Sequence, residues 1–118
     1  MELPVNDSIV EFKIDTGADI TVMSQTAFDR LPQSPRLVTT QKIPLVTSPG
    51  GKVQCIGKFL ARTRFKGQNY RYWVTVIKGP YAHNLLGGTV ARRMGLVKRI
   101  NGVDTNMLAD VYGDIGLH

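Results

Sequence analysis

Asp15-Thr16-Gly17 is the stretch of this 118-residue chain whose residue types bring the most chemistry together. A carboxylate can take or give a proton, an adjacent hydroxyl can donate and accept hydrogen bonds, and a glycine lets the backbone turn and a ligand come close. Asp19 supplies a second acid in the same segment. Other chemistries have little to work with. Cys55 is the one cysteine, so no internal disulfide or cysteine zinc cage can form, and a reducing compartment fits. His83 and His118 lack metal-ligand spacing, and neither a metal nor another cofactor is expected. An isolated Asp-Thr-Gly also describes an ordinary turn, so the flanking elements decide between the two readings.

Those elements are strand-like on both sides. Val10, Phe12 and Ile14 alternate with Glu11 and Lys13, which predicts a strand running into Asp15, and Ile20-Thr21-Val22-Met23 predicts a second one leaving the loop. Asn6-Asp7 has turn chemistry, so Leu3-Pro4-Val5 reads as a short partner strand. Ser24 can cap a short helix with Ala27, Phe28 and Leu31 on one side, ended by Pro32 and Pro35. The longest period-two run covers residues 53–66, with Gly57 expected to mark a bulge or bend. After the turn residues Lys66-Gly67-Gln68-Asn69, residues 70–77 return as its partner. Ser48-Pro49-Gly50-Gly51 predicts an earlier, glycine-tipped hairpin. A second helix follows Leu85-Leu86-Gly87-Gly88, with Thr89 as its cap, Val90, Ala91 and Met94 as its apolar side, and Gly95 as its stop. Residues 96–100 read as one more strand. The pattern is mainly β, with one domain over residues 1–100 and a weakly periodic tail, or the start of a following segment, over 101–118.

Composition excludes several classes. With 42% hydrophobic and 20% charged residues the chain is neither disordered nor collagen-like. No apolar run approaches the roughly 20 residues that span a bilayer, and Met1-Glu2-Leu3-Pro4 lacks the features of a secretory signal, so a cytoplasmic protein without a membrane partner is expected. The net charge of +6 is uneven: every acid lies within residues 2–29 or 104–114, and every Lys and Arg except Lys13 lies between Arg30 and Arg99. A basic middle of this kind either is a solvated face or attracts nucleic acid or acidic substrates, which leaves a nucleic-acid partner open. Tyr70-Arg71-Tyr72-Trp73 alternates as a strand half in the core and half on the surface.

Taken together, residues 8–100 resemble the retropepsins, the aspartic proteases of retroviruses and long-terminal-repeat retrotransposons. Ile14-Asp15-Thr16-Gly17-Ala18-Asp19 is similar to the family's catalytic loop, and Pro49-Gly50-Gly51-Lys52 to its flap tip. His83-Asn84-Leu85-Leu86-Gly87 resembles the element packed beside that loop, and residues 89–95 the family's helix. The wording of residues 12–23 looks closer to retrotransposon Pol polyproteins than to lentiviral enzymes.

The resemblance implies a closed, bent β-barrel with one short C-terminal helix, working as a homodimer with its active site on the two-fold axis. One Asp-Thr-Gly per chain agrees with that, since a single-chain enzyme would need two. It further implies that Asp15 is catalytic, that Thr16 braces the loop across the dimer, and that Gly17, Ala18 and Asp19 contact substrate backbone. Gly50 and Gly51 would close over the substrate, and Ala18, Val22, His83 and Leu85 would line its pockets. Two carboxyls about 3 Å apart share one proton, one activating water and the other polarising the scissile carbonyl. The implied activity is aspartic endopeptidase processing of a Gag-Pol-like polyprotein, in the cytoplasm or within virus-like particles. The competing reading is a domesticated, non-proteolytic module used for dimerisation or binding. Three departures bear on the dimer: only 14 residues precede Asp15, Gly88 stands where lentiviral enzymes carry an arginine that pairs with the loop's second acid, and the tail runs past a minimal retropepsin.

Overall fold

The structure is a computed structural model that describes residues 1–39, 45–48, 51–79, 83–100 and 103–106. β1 (Glu2–Val5) and β2 (Ser8–Glu11) form a hairpin because Asn6 and Asp7 both adopt the left-handed conformation, at φ 47° and 69°, which matches the twist of paired strands. β3 (Lys13–Asp15) and β4 (Thr21–Ser24) flank the Asp-Thr-Gly loop, and α1 (Gln25–Asp29) follows at once. Ser24 caps α1 as expected, its Oγ accepting from the Ala27 amide at 3.1 Å. Then come β5 (Leu45–Ser48), the 15-residue β6 (Gly51–Phe65), β7 (Gln68–Ile77), β8 (Leu85–Gly87), α2 (Gly88–Arg93), β9 (Val97–Ile100) and β10 (Val103–Asn106).

Alternation builds the centre. Phe59, Ala61 and Thr63 of β6 and Tyr72, Val74 and Val76 of β7 are buried, while their neighbours Leu60, Arg62, Arg71 and Trp73 face outward. Lys66 and Gly67 make the left-handed turn between the two strands, at φ 50° and 78°. The register slips between Cys55 and Gly57, the expected bulge, and there the 37–39 segment comes in close: a Cβ on Gly57 would lie 3.0 Å from the Val38 carbonyl oxygen. Under this sheet Phe28 of α1 meets Phe59 with ring centroids 5.2 Å apart, and Leu3, Val5, Phe12, Met23 and Leu86 complete a largely continuous core.

Four features differ from expectation. The strand foreseen over residues 9–14 breaks at Phe12, which is 1% exposed: up to Glu11 the chain pairs with β1, and from Lys13 it pairs with β8. Phe12 anchors that change of sheet. α2 starts at Gly88 with Gly87 as its N-cap and no side-chain cap, so Thr89 lies inside the helix rather than before it. Gly87 and Gly88 there pack directly against the backbone of the 16–20 segment. β10 pairs with β9 (Val103 opposite Ile100), so part of the expected tail is a strand.

The barrel is also not closed. Among the described residues the main sheet has the order β3-β8-β4-β7-β6-β5, with free edges at β3 and β5. The β1–β2 hairpin packs Leu3 and Val5 into the same core as β6 but hydrogen-bonds to it through its turn: the Asn6 amide donates to the Arg62 carbonyl (3.0 Å), and the Arg62 amide donates to Asn6 Oδ1 (2.8 Å). These two bonds satisfy two backbone groups of Arg62 without a ladder.

A buried polar pair inside this sheet gives a first expected result. Thr63 Oγ1 and Tyr72 Oη share a 2.6 Å hydrogen bond. Tyr72→Phe should cost about 1–2 kcal/mol by orphaning the Thr63 hydroxyl, and adding Thr63→Val should return most of it; urea midpoints of the three chains check this. Burial pushes the Tyr72 phenol up, an effect the Thr63 bond partly opposes. The unfolded phenol ionises near pH 10 while the folded one keeps its proton, so this stability is lost as pH rises above about 10. Wild type should therefore weaken more steeply there than Tyr72→Phe.

Candidate active site

β3 pairs in parallel with β8, and that register sets Asp15 opposite Gly87 at the point where both strands end. The loop after Asp15 closes on itself. Asp15 Oδ1 accepts from the Gly17 amide at 3.1 Å, and the Asp15 carbonyl accepts from the Ala18 amide at 3.1 Å. Asp15 is half-buried, with Thr16, Gly17 and Asp19 exposed around it and Ala18 half-buried. The carboxylate is thus held by its own loop yet open to solvent.

The support beneath the loop is backbone against backbone. The Gly88 amide donates to the Ala18 carbonyl (2.9 Å), and the Gly87 amide donates to Thr21 Oγ1 (3.0 Å) in a buried position. A Cβ on Gly87 would lie 2.8 Å from the Ile20 carbonyl, and one on Gly88 would lie 2.7 Å from the Thr16 carbonyl oxygen. Any side chain at either position would displace the loop. Arg92, one turn further along α2, brings Nη1 to 3.0 Å from that Gly88 Cβ position, so its guanidinium lies over the second glycine. Gly17 itself is not in the left-handed region, and a Cβ there would touch only Asp15 Oδ1 at 3.5 Å. Its lack of a side chain clears access to the carboxylate; the turn does not depend on it.

Asn84 is the second fastener. Its Oδ1 accepts from the Ser24 amide (2.9 Å), its Nδ2 donates to the Glu11 carbonyl (3.1 Å), and its carbonyl accepts from the Lys13 amide (2.8 Å). One side chain thereby ties β4 to the chain that enters β3. Neither Thr21 nor Asn84 was foreseen in these roles, because a polar residue in an apolar run signals a buried bond only once its partner is known.

The remaining expected site residues are dispersed. Val22 is 3% exposed, opposite Leu85, in a small cluster with Cys55 and Ile77, and Leu85 is half-buried against the same cluster. His83 is exposed and lines a depression of about 280 Å³ with Glu11, Phe12, Lys13 and Asn84. It precedes Asn84, whose carbonyl accepts from the Lys13 amide, at the end of β3 away from Asp15. Gly51 opens β6 opposite Ser48, which brings the flanks of the glycine-tipped hairpin together as expected; Gly50 lies outside the described residues. Cys55 is buried, and burial pushes its thiol up, away from the reactive thiolate. Among the described residues no cluster of His, Cys, Asp and Glu could hold a metal ion, and no helix is long and apolar enough to cross a membrane.

No protein-family model and no curated protein sequence matches the chain. Its fold is similar to the solved structure of EIAV protease complexed with the inhibitor HBY-793, with a TM-score of 0.68 and 22% sequence identity over 80% of this chain and 86% of that one. At that identity the likeness concerns architecture, and the architecture is a mainly β, retropepsin-like fold.

Proposed function

We propose that the chain is one half of a two-chain aspartic endopeptidase acting on an extended polypeptide, with processing of a Gag-Pol-like polyprotein as its role. The observation that carries the reading is the Asp15 loop: a solvent-accessible carboxylate held by the Gly17 amide, on a loop seated on Gly87 and Gly88 in a retropepsin-like fold. One such carboxylate per chain is half of a general acid and base pair, so the reading requires a second copy.

In the assembled site the ionised Asp15 takes a proton from water, whose oxygen attacks the scissile carbonyl carbon, while the protonated Asp15 of the other copy gives its proton to the carbonyl oxygen. The tetrahedral diol then collapses: the C–N bond breaks, the amine leaves with a proton, and the new carboxyl forms. Exposed Thr16 braces the paired loops, and Gly17, Ala18 and Asp19 offer backbone groups to the substrate. The β5–β6 hairpin, with Gly50 and Gly51, closes over the peptide, and Val22, His83 and Leu85 contribute to its pockets.

Dilution tests the two-chain requirement. Specific activity on a peptide library should rise with enzyme concentration until the dimer saturates, and excess Asp15→Asn chains should suppress wild-type activity through dead heterodimers. Unchanged specific activity in a demonstrably monomeric sample would rule out the shared site. Dimers without any cleavage would favour the non-proteolytic module.

A further inference from the structure

The outer face of the β6–β7 hairpin does nothing for the Asp15 loop, and its composition is unusual. Register sets Leu60 opposite Trp73 and Arg62 opposite Arg71, with Lys58 and Arg64 in the flanking rows of the same face. Leu60 and Trp73 are 43% and 48% exposed, and the Lys58 ammonium lies over the indole, 4.7 Å from the ring centroid. Arg93 of α2 adds a cation at the margin, its Nη1 donating to the Arg71 carbonyl at 3.0 Å. Like charges directly opposite each other on paired strands are destabilising, so folding alone does not favour the Arg62–Arg71 pair. Asp7 gives little relief: its carboxylate lies 3.9 Å from Arg62 Nη2, with both side chains largely in solvent.

We infer that this face binds single-stranded nucleic acid, with Trp73 and Leu60 as a platform for an unstacked base and Lys58, Arg62, Arg64 and Arg71 as phosphate contacts. Charge complementarity points to a polyanion, and the apolar centre selects among polyanions. Alternate residues on a strand are about 6.6 Å apart, an interval on the scale of successive phosphates in an extended strand. Bases carry flat π-faces that stack on an exposed indole, and guanidinium groups pair with phosphate through two N–H donors. An acidic polypeptide offers the charge without the flat faces, and a duplex keeps its bases stacked away from the indole. A base that displaces the Lys58 ammonium from the ring also frees it for phosphate.

Trp73 is the one tryptophan, so the intact chain carries its own probe. Titration with an oligothymidylate of about 20 nucleotides should quench its emission, and neutralising four phosphates gives a log K against log salt slope of about −3, a loss of about 50-fold between 50 and 200 mM salt. By anisotropy of the labelled strand, Arg62→Gln/Arg64→Gln should weaken binding at least tenfold and roughly halve the slope. Trp73→Ala should weaken it about tenfold and leave the slope unchanged. Lys13→Gln/Arg30→Gln removes the same charge elsewhere and should change affinity less than twofold. All these side chains are exposed, and circular dichroism verifies the fold of each variant. Equal losses in both double variants would reduce the effect to net charge and overturn the inference. Polyglutamate or duplex binding as tightly as the single strand would overturn its ligand class, and absence of binding at 50 mM salt would overturn it outright.

Discussion

Asp15→Asn should abolish peptide cleavage, by about 10⁴-fold or to background, while the chain folds as before. The two halves of that expectation rest on different atoms. Asn presents the same Oδ1 to the Gly17 amide, so the turn that holds the loop survives. The carboxamide, however, neither takes a proton from water nor gives one to a carbonyl, so both chemical steps lose their agent. Initial rates on a fluorogenic peptide pool, read beside circular dichroism and thermal unfolding, separate the two. Cleavage that persists in a clean Asp15→Asn preparation would end the aspartic-protease reading.

Gly88→Arg is the second large effect, and its sign depends on the structure. By the resemblance alone, an arginine here restores a partner for Asp19 and should help. The packing says the opposite. The new Cβ would lie 2.7 Å from the Thr16 carbonyl oxygen, which is backbone and can yield only by moving the loop, and the side chain would meet the Arg92 guanidinium already lying there. The expected outcome is a loss of roughly 2–3 kcal/mol in stability. A loop shift approaching 1 Å would remove about 100-fold of activity. Gly88→Ala should show much of the same loss, because the Cβ is the offender. Urea unfolding and turnover of both variants provide the check, and a neutral Gly88→Ala would mean that the loop is not seated on α2 as described.

What could be read from the chain follows from range. The Asn6-Asp7 turn, the Ser24 cap, the Gly57 bulge and the alternation of β6 and β7 depend on neighbouring residues and are as expected, and the turn expected over residues 66–69 is there but tighter, with Gln68 and Asn69 already in β7. Asp15-Thr16-Gly17 was recognisable because a short loop between two strands is also a local pattern. Features that depend on distant partners were not legible. Phe12 looks like any member of its alternating run until its neighbours are seen pairing with two different sheets. Gly87 and Gly88 are ordinary in sequence and indispensable in space, because what excludes a side chain lies about 70 residues earlier. β10 is a different kind of miss: Asn101-Gly102, itself outside the described residues, is a local hairpin signal between β9 and β10.

The slip at Gly57 divides β6 mechanically. On one side, residues 51–53 are laddered only to β5, with Gln54 and Cys55 still reaching the end of β7 through the Lys78 amide (2.7 Å) and Ile77; on the other, residues 57–65 are laddered to β7. The strand is therefore a lever with one arm clamped and one arm cantilevered, and the Val38 carbonyl, against Gly57, is the fulcrum. Tilting the free arm requires torsion at the bulge and costs at most the Gln54–Lys78 bond and the Cys55–Ile77 pair, leaving the rungs from Gly57 to Phe65 intact. The β5–β6 hairpin can travel as a stiff beam, and the load it transmits falls on residues 37–39 rather than on the Asp15 loop.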